Sequence, residues 1–295
     1  MLKIFQIVCL LLLIPSINYS ISWHDTCYIS NTVITPDIKS KGIMGVKIEF
    51  DSFLAYESKH KNNTPNTIIV DVVILNDAGK PLPAIEHSYA FSHKGSVMAT
   101  KSNIIVTVKK KVLNSFFIPY YCINLPTGKA KLKYKISISI KDTSIMEKER
   151  HIVVKGTTDG DFFITKPPTN KVRMLCSAVR VSDSDKSKNW DFGLSGQPDP
   201  VFKVVMDNGI QSDYIYESPT VENSISAAWI DSSPIFIISE GDEITLGIYD
   251  NDTLADDNIG SKSHPLNEWL EITKTAKVLT FGQVTYCTVK VEKIN

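Results

Sequence analysis

The sequence lacks nearly every pattern that marks an enzyme. It has no glycine-rich phosphate loop, no His-Glu-x-x-His and no Cys-x-x-Cys, and Gly193-Leu-Ser-Gly196 is not the Gly-x-Ser-x-Gly of a nucleophile elbow. Catalysis needs a nucleophile with a base, or a metal with an open position, and neither is identifiable, so the chain is expected not to be an enzyme. Net charge is also missing, since 32 Lys+Arg balance 32 Asp+Glu in 295 residues. No nucleic-acid partner is expected. Helical periodicity is scarce, and after the first twenty residues no run approaches the roughly 18 apolar residues of a membrane span.

Cysteine is sparse, with five in the chain, and the first residues decide how it is read. Lys3 precedes an apolar stretch from Ile4 to Ile17, and Ser20 and Ser22 stand where a signal peptidase reads its substrate. Residues 1–22 are therefore expected to be a cleaved signal, and the mature protein to be secreted or periplasmic. Removing Cys9 with the signal leaves Cys27, Cys122, Cys176 and Cys287, an even number in an oxidising compartment. Four cysteines permit three pairings. One pair per half, Cys27–Cys122 and Cys176–Cys287, is preferred, with buried thiols as the alternative.

The zero net charge hides an asymmetry. Residues 21–170 carry 20 Lys/Arg against 13 Asp/Glu, and residues 171–295 carry 11 against 19. Lys166-Pro-Pro-Thr-Asn170 interrupts the strand signals between them as a short stiff connector. The expected organisation is a domain over 23–165, a linker at 166–170 and a second domain over 171–295.

Strand signals fill both halves. Gly45–Asp51 alternates apolar with charged residues, and Thr67–Leu75 is a β-branched run closed by Asn-Asp-Ala-Gly. Lys129, Lys131, Lys133 and Lys135 alternate with Ala130, Leu132, Tyr134 and Ile136, which places four lysines on one face and an apolar row on the other. Lys109-Lys-Lys111 reads as a turn, and Pro265–Glu271 as one helical turn. Regular spacing with Gly, Pro, Asn and Asp at the turns predicts an all-β chain of two antiparallel sandwiches in tandem.

What the second half has in excess is aspartate at two places. Asp183, Asp185, Asp191 and Asp199 lead into the strand Val201–Met206, while Asp250, Asp252, Asp256 and Asp257 follow the alternating run Glu243–Tyr249. Carboxylates at this density repel one another, so a fold that gathers them must bind a cation or raise their pKa values. Calcium, a hard ion taking six to eight oxygens from flexible loops, is the natural partner. An EF-hand is excluded, because Ser261 stands where the twelfth-position Glu would be and no helices flank the loop.

The ordered set Trp190-Asp191 through Asp199-Pro-Val-Phe-Lys-Val, Ala228-Trp229, and Tyr249-Asp250-Asn-Asp252 through Asp257-Asn-Ile259-Gly260 resembles the C2 domain over about 120 residues. That family is an eight-stranded antiparallel sandwich binding calcium between loops at one end and often docking on phospholipid. The resemblance implies Asp191, Asp199, Asp250, Asp252 and Asp257 as ligands, with Asp256 competing with Asp257 for the last place. Phe192, Leu194 and Leu254, with Lys186 and Lys188, are the candidate membrane contacts. The expected function is calcium-dependent attachment to a phospholipid surface, with a protein or glycan partner for the first half. The alternative is an extracellular structural or adhesion protein in which calcium only stiffens loops.

Overall fold

In the computed structural model the described residues are 26–57, 66–85, 91–105, 107–142, 152–182, 196–209, 212–252, 256–275 and 278–294. The chain is all-β and antiparallel, with four sheets packed as two sandwiches. The first sandwich uses β1 (Thr26–Ser40), β2 (Ile43–Glu57), β3 (Asn66–Asn76), β4 (Ser92–His93), β5 (Ser96–Ile105), β6 (Thr107–Pro119), β7 (Gly128–Asp142) and β8 (Ile152–Lys166). Its sheets run β1-β2-β6 and β4-β5-β3-β7-β8.

Alternation along the strands makes the core. Val46, Ile48 and Phe50 of β2 and Phe116 and Ile118 of β6 bury their side chains together with Val70, Val72 and Ile74 of β3 and Leu132, Ile136 and Ile138 of β7. Each such side chain contributes about 1.5–3 kcal/mol. The lysines of β7 lie on the opposite face as expected, and Lys131 bridges Asp77 and Asp161 at 3.2 and 2.9 Å. Lys109–Lys111 corrects the turn reading, for these residues lie inside β6 and pair with Phe53–Ala55 of β2. Pairing along the whole length of β2 overrides the local turn preference of three adjacent charges.

The second sandwich comprises β9 (Thr169–Val181), β10 (Pro200–Asp207), β11 (Ser212–Glu217), β12 (Ser226–Ala228), β13 (Phe236–Ser239), β14 (Glu243–Asp250), β15 (Asp257–Pro265), α1 (Leu266–Thr275), β16 (Leu279–Phe281) and β17 (Val284–Ile294). One sheet runs β11-β10-β14-β15, and the other joins β12, β9, β17 and β16, with β13 also paired to β9. The predicted helical turn is extended to the ten residues of α1, which seats Trp269 in the core with its indole N–H donating to Ile244 O at 2.9 Å.

Only Pro167 and Pro168 separate β8 from β9, and the tip of the β1–β2 hairpin docks on the second sandwich. There the Ser40 hydroxyl donates to Asn208 O at 2.6 Å, and the Met44 N–H donates to Asp242 Oδ1 at 2.7 Å. The Glu243 N–H donates to Gly42 O at 3.2 Å. Gly42 sits at φ 81°, and a Cβ there would meet the Glu243 side chain, so both conformation and space require glycine. Beside the tip, the Tyr121 hydroxyl donates to the buried Asp213 carboxylate at 2.7 Å. Asp242 is fully buried, and burial pushes its pKa up to about 7 against the opposing pull of the Met44 and Ser239 N–H groups.

The expected disulfides are not formed, and all four cysteines are free thiols. Cys176 and Cys287, on adjacent strands β9 and β17, do meet, with sulfurs 3.5 Å apart. Cys27 and Cys122 do not. Cys27 lies against Gly156 of β8, whereas Cys122 precedes Ile123, whose carbonyl accepts the Lys166 ammonium at the far end of the same strand. Gly156 and Lys166 are separated along β8 by roughly 30 Å, at about 3.3 Å per residue.

Candidate functional site

Two strands decide where the acidic residues go. β10 and β14 are antiparallel neighbours, with Pro200 opposite Asp250, and β15 continues the line by setting Asp257 opposite Asp250. Asp250 and Asp257 are therefore cross-strand neighbours, and Asp199, one residue before β10, lies beside Asp250, at the end of the sandwich opposite the hairpin docking site. Along β10 the acidic end is roughly 25 Å from Asp207, which marks the docked end.

Backbone amides order this end. Asp250 is fully buried, and its Oδ1 accepts the Asp199 N–H at 2.6 Å. The Asp199 carboxylate in turn accepts the Asn223 N–H at 2.6 Å, and its main-chain carbonyl accepts the Asn251 N–H at 3.1 Å. The Asn251 side-chain amide donates to the Thr220 hydroxyl at 2.6 Å. Three loops are thus tied together: the approach to β10, the turn after β11 and the exit from β14. Pro219 O accepts the Trp229 indole N–H at 2.8 Å, and Trp229 stands edge-on to Phe202 with ring centres 5.2 Å apart, which anchors the middle loop to the core.

Asp256 and Asp257 have different neighbours. Asp256 Oδ2 pairs with the Lys203 ammonium at 2.5 Å, while Asp257 begins β15 across from Asp250. Lys203 is only 6% exposed, and its ammonium also meets Glu217 at 2.9 Å. It lies 5.4 Å from the Tyr249 ring centre and 5.8 Å from that of Tyr214. Burial pulls the Lys203 pKa down, but the hydrogen bonds to Asp256 and Glu217 outweigh it and hold the pKa above the ordinary value. The side chain is a permanent internal cation. The signal for it in the sequence is that Lys203 is the one charged residue inside Val201–Met206.

Asp252 lies half-buried in the loop after β14. Asp191, Phe192, Leu194, Leu254, Lys186 and Lys188 fall outside the described residues.

No protein-family model matches the chain, and no curated protein matches it. Among solved structures, one similar chain is extended-synaptotagmin 2 comprising its SMP domain and a pair of C2 domains, at 9% identity and a TM-score of 0.29, with 86% of this chain and 76% of that one covered. A second is the calcium-bound pair of C2 domains of extended-synaptotagmin 2 alone, at 10% identity and a TM-score of 0.28, with 78% and 96% covered.

The donor set suits calcium in kind. Carboxylate and main-chain oxygens dominate the acidic end, with no thiol or imidazole among Asp199, Asp250, Asp252 and Asp257, which is the hard-oxygen chemistry calcium takes. No group of three or more His, Cys, Asp or Glu side chains converges as a metal shell among the described residues.

Proposed function

We propose that the second sandwich is a C2-like calcium-binding module and that its acidic end, once loaded, attaches the protein to anionic phospholipid. One observation carries this reading. The strand register sets Asp257 opposite Asp250, and Asp199, about fifty residues earlier in the chain, lies against Asp250 at the same end of the sandwich, away from the junction with the first. Asp199, Asp250, Asp252 and Asp257 hold the ion, and Asp191 is the fifth ligand that the C2 resemblance implies. The neutralised end then accepts lipid phosphate, with Phe192, Leu194 and Leu254 as apolar contacts and Lys186 and Lys188 as charged ones.

The protein acts outside the cytoplasm on this reading, supported by the Lys3-led apolar segment over residues 4–17, and it works by binding rather than catalysis. The first sandwich supplies a surface for a protein or glycan partner.

Sedimentation of the full chain with vesicles of phosphatidylcholine and phosphatidylserine, in calcium and in EDTA, tests the proposal. Co-sedimentation that requires both phosphatidylserine and calcium is expected. Calcium uptake without any lipid binding would transfer the function to loop stiffening for a protein or glycan contact, and absence of both would remove the reading altogether.

A further inference from the structure

The acidic end already contains a cation, and it belongs to the protein. The contacts of Lys203 run across the whole four-stranded sheet: Glu217 ends β11, Lys203 sits in β10, Tyr249 belongs to β14, and Asp256 immediately precedes β15. A surface ion pair between two such side chains contributes little, because water screens it and two long chains must be ordered. This one differs in that the lysine is 6% exposed, roofed by two tyrosine rings and shared between two carboxylates. A buried ammonium without its partners carries a large desolvation penalty, so the geometry is held strongly once made.

We infer that Lys203 is a built-in brace for the acidic end. It fixes the entry into β15 when no metal is bound, and it withdraws Asp256 from the carboxylates open to an ion, leaving Asp257 beside Asp250. The second half of that statement rests on the calcium reading above; the first does not. The brace acts on the edge of the sheet, where β14 is the one strand paired to β15 among the described residues, a bulge interrupts the register between Ile248 and Tyr249, and the Gln283 N–H reaches β15 no earlier than Ile259 O. An edge strand beginning with Asp257-Asn258 has little apolar surface to hold its first residues, since burial begins at Ile259. The ionic tie at Asp256 comes just where packing gives out.

Amide hydrogen exchange on the full chain tests this, with wild type, Lys203→Met and Asp256→Asn each measured in EDTA and in millimolar calcium. Circular dichroism first confirms that each variant is folded. In EDTA the amides of Asn251 and Asn258 are expected to exchange at least tenfold faster in both variants than in wild type, while Val72 and Ile136 in the first sandwich keep their protection. In calcium the three proteins converge, because the ion supplies the order that the brace gave. Equal rates at Asn251 and Asn258 in EDTA overturn the inference, as does a loss of protection that reaches Val72 and Ile136. If the EDTA difference stands but calcium slows exchange in none of the proteins, the brace is upheld and the calcium reading fails.

Discussion

Replacing Asp242 by Asn removes one identifiable source of pH dependence from this protein's stability. The carboxylate is fully buried where the β1–β2 hairpin meets β14, accepting N–H groups from Met44 at 2.7 Å and Ser239 at 3.2 Å. Its pKa rises from 3.8 to about 7, burial being the largest cause. The folded state therefore holds a proton that the unfolded chain has already released between these values, and stability falls as pH rises through that window. Three units correspond to roughly 4 kcal/mol, fully present below pH 4 and gone above pH 7. Asparagine cannot titrate. Its amide oxygen still accepts one of the two N–H groups while its NH2 faces the other donor, a fixed cost of about 1–3 kcal/mol at every pH. The stability curves of wild type and Asp242→Asn therefore cross, with wild type ahead at pH 4 and the variant ahead at pH 7.5. Thermal unfolding from pH 4 to 8 reads this as a change in the difference between the two melting temperatures on the order of 10 °C. Taking the difference cancels Asp207, whose pKa is lowered and whose contribution runs the opposite way. Parallel curves would show that the buried carboxylate is ionised throughout, and the argument from burial would be wrong.

Three further outcomes follow from the geometry. The double change Asp250→Asn with Asp252→Asn should weaken calcium binding at least tenfold by calorimetry, since it removes two carboxylates while an amide oxygen at 250 still accepts the Asp199 N–H. Mild oxidation with a disulfide reagent should convert two of the described thiols to one bond, Cys176–Cys287, and peptide mapping should find no Cys27–Cys122 product, because the second pair is held far apart. Trp269→Ala should destabilise the second sandwich by about 3–5 kcal/mol in urea titration, because the indole is fully buried and its N–H is bonded to Ile244 O. A loss under about 1 kcal/mol would mean that α1 is not part of the core.

Much of the fold is legible in the sequence because strand alternation is local. β3, β7, β10 and β14 are written as β-branched or alternating runs, and they stand where those runs stand. β1 is not legible. Its register is broken twice, between Ser30 and Val33 and between Thr35 and Ile38, Asn31 and Asp37 take positive φ, and the inward positions of its alternating pattern include Thr32, Pro36 and Ser40 rather than an unbroken apolar row. β15 hides for another reason: its first residues are those of an acidic loop, and only pairing to β14 makes them a strand. In the candidate site the aspartates are visible as a cluster, but the separate roles of Asp256 and Asp257 are not. They depend on Lys203, more than fifty residues away in the chain, whose side chain reaches Asp256 across β14. The disulfide expectation fails at Cys27 and Cys122 because cysteine parity says how many partners exist and nothing about how far apart a sheet will carry them.

The hairpin tip at Gly42 has a mechanical consequence. The first sandwich is tied to the second at two places, to the base of β14 through Glu243 and Asp242 and to β9 through two prolines. The ties lie at the Asp207 and Glu243 ends of β10 and β14, so the acidic end of the second sandwich is the end left clear of the first.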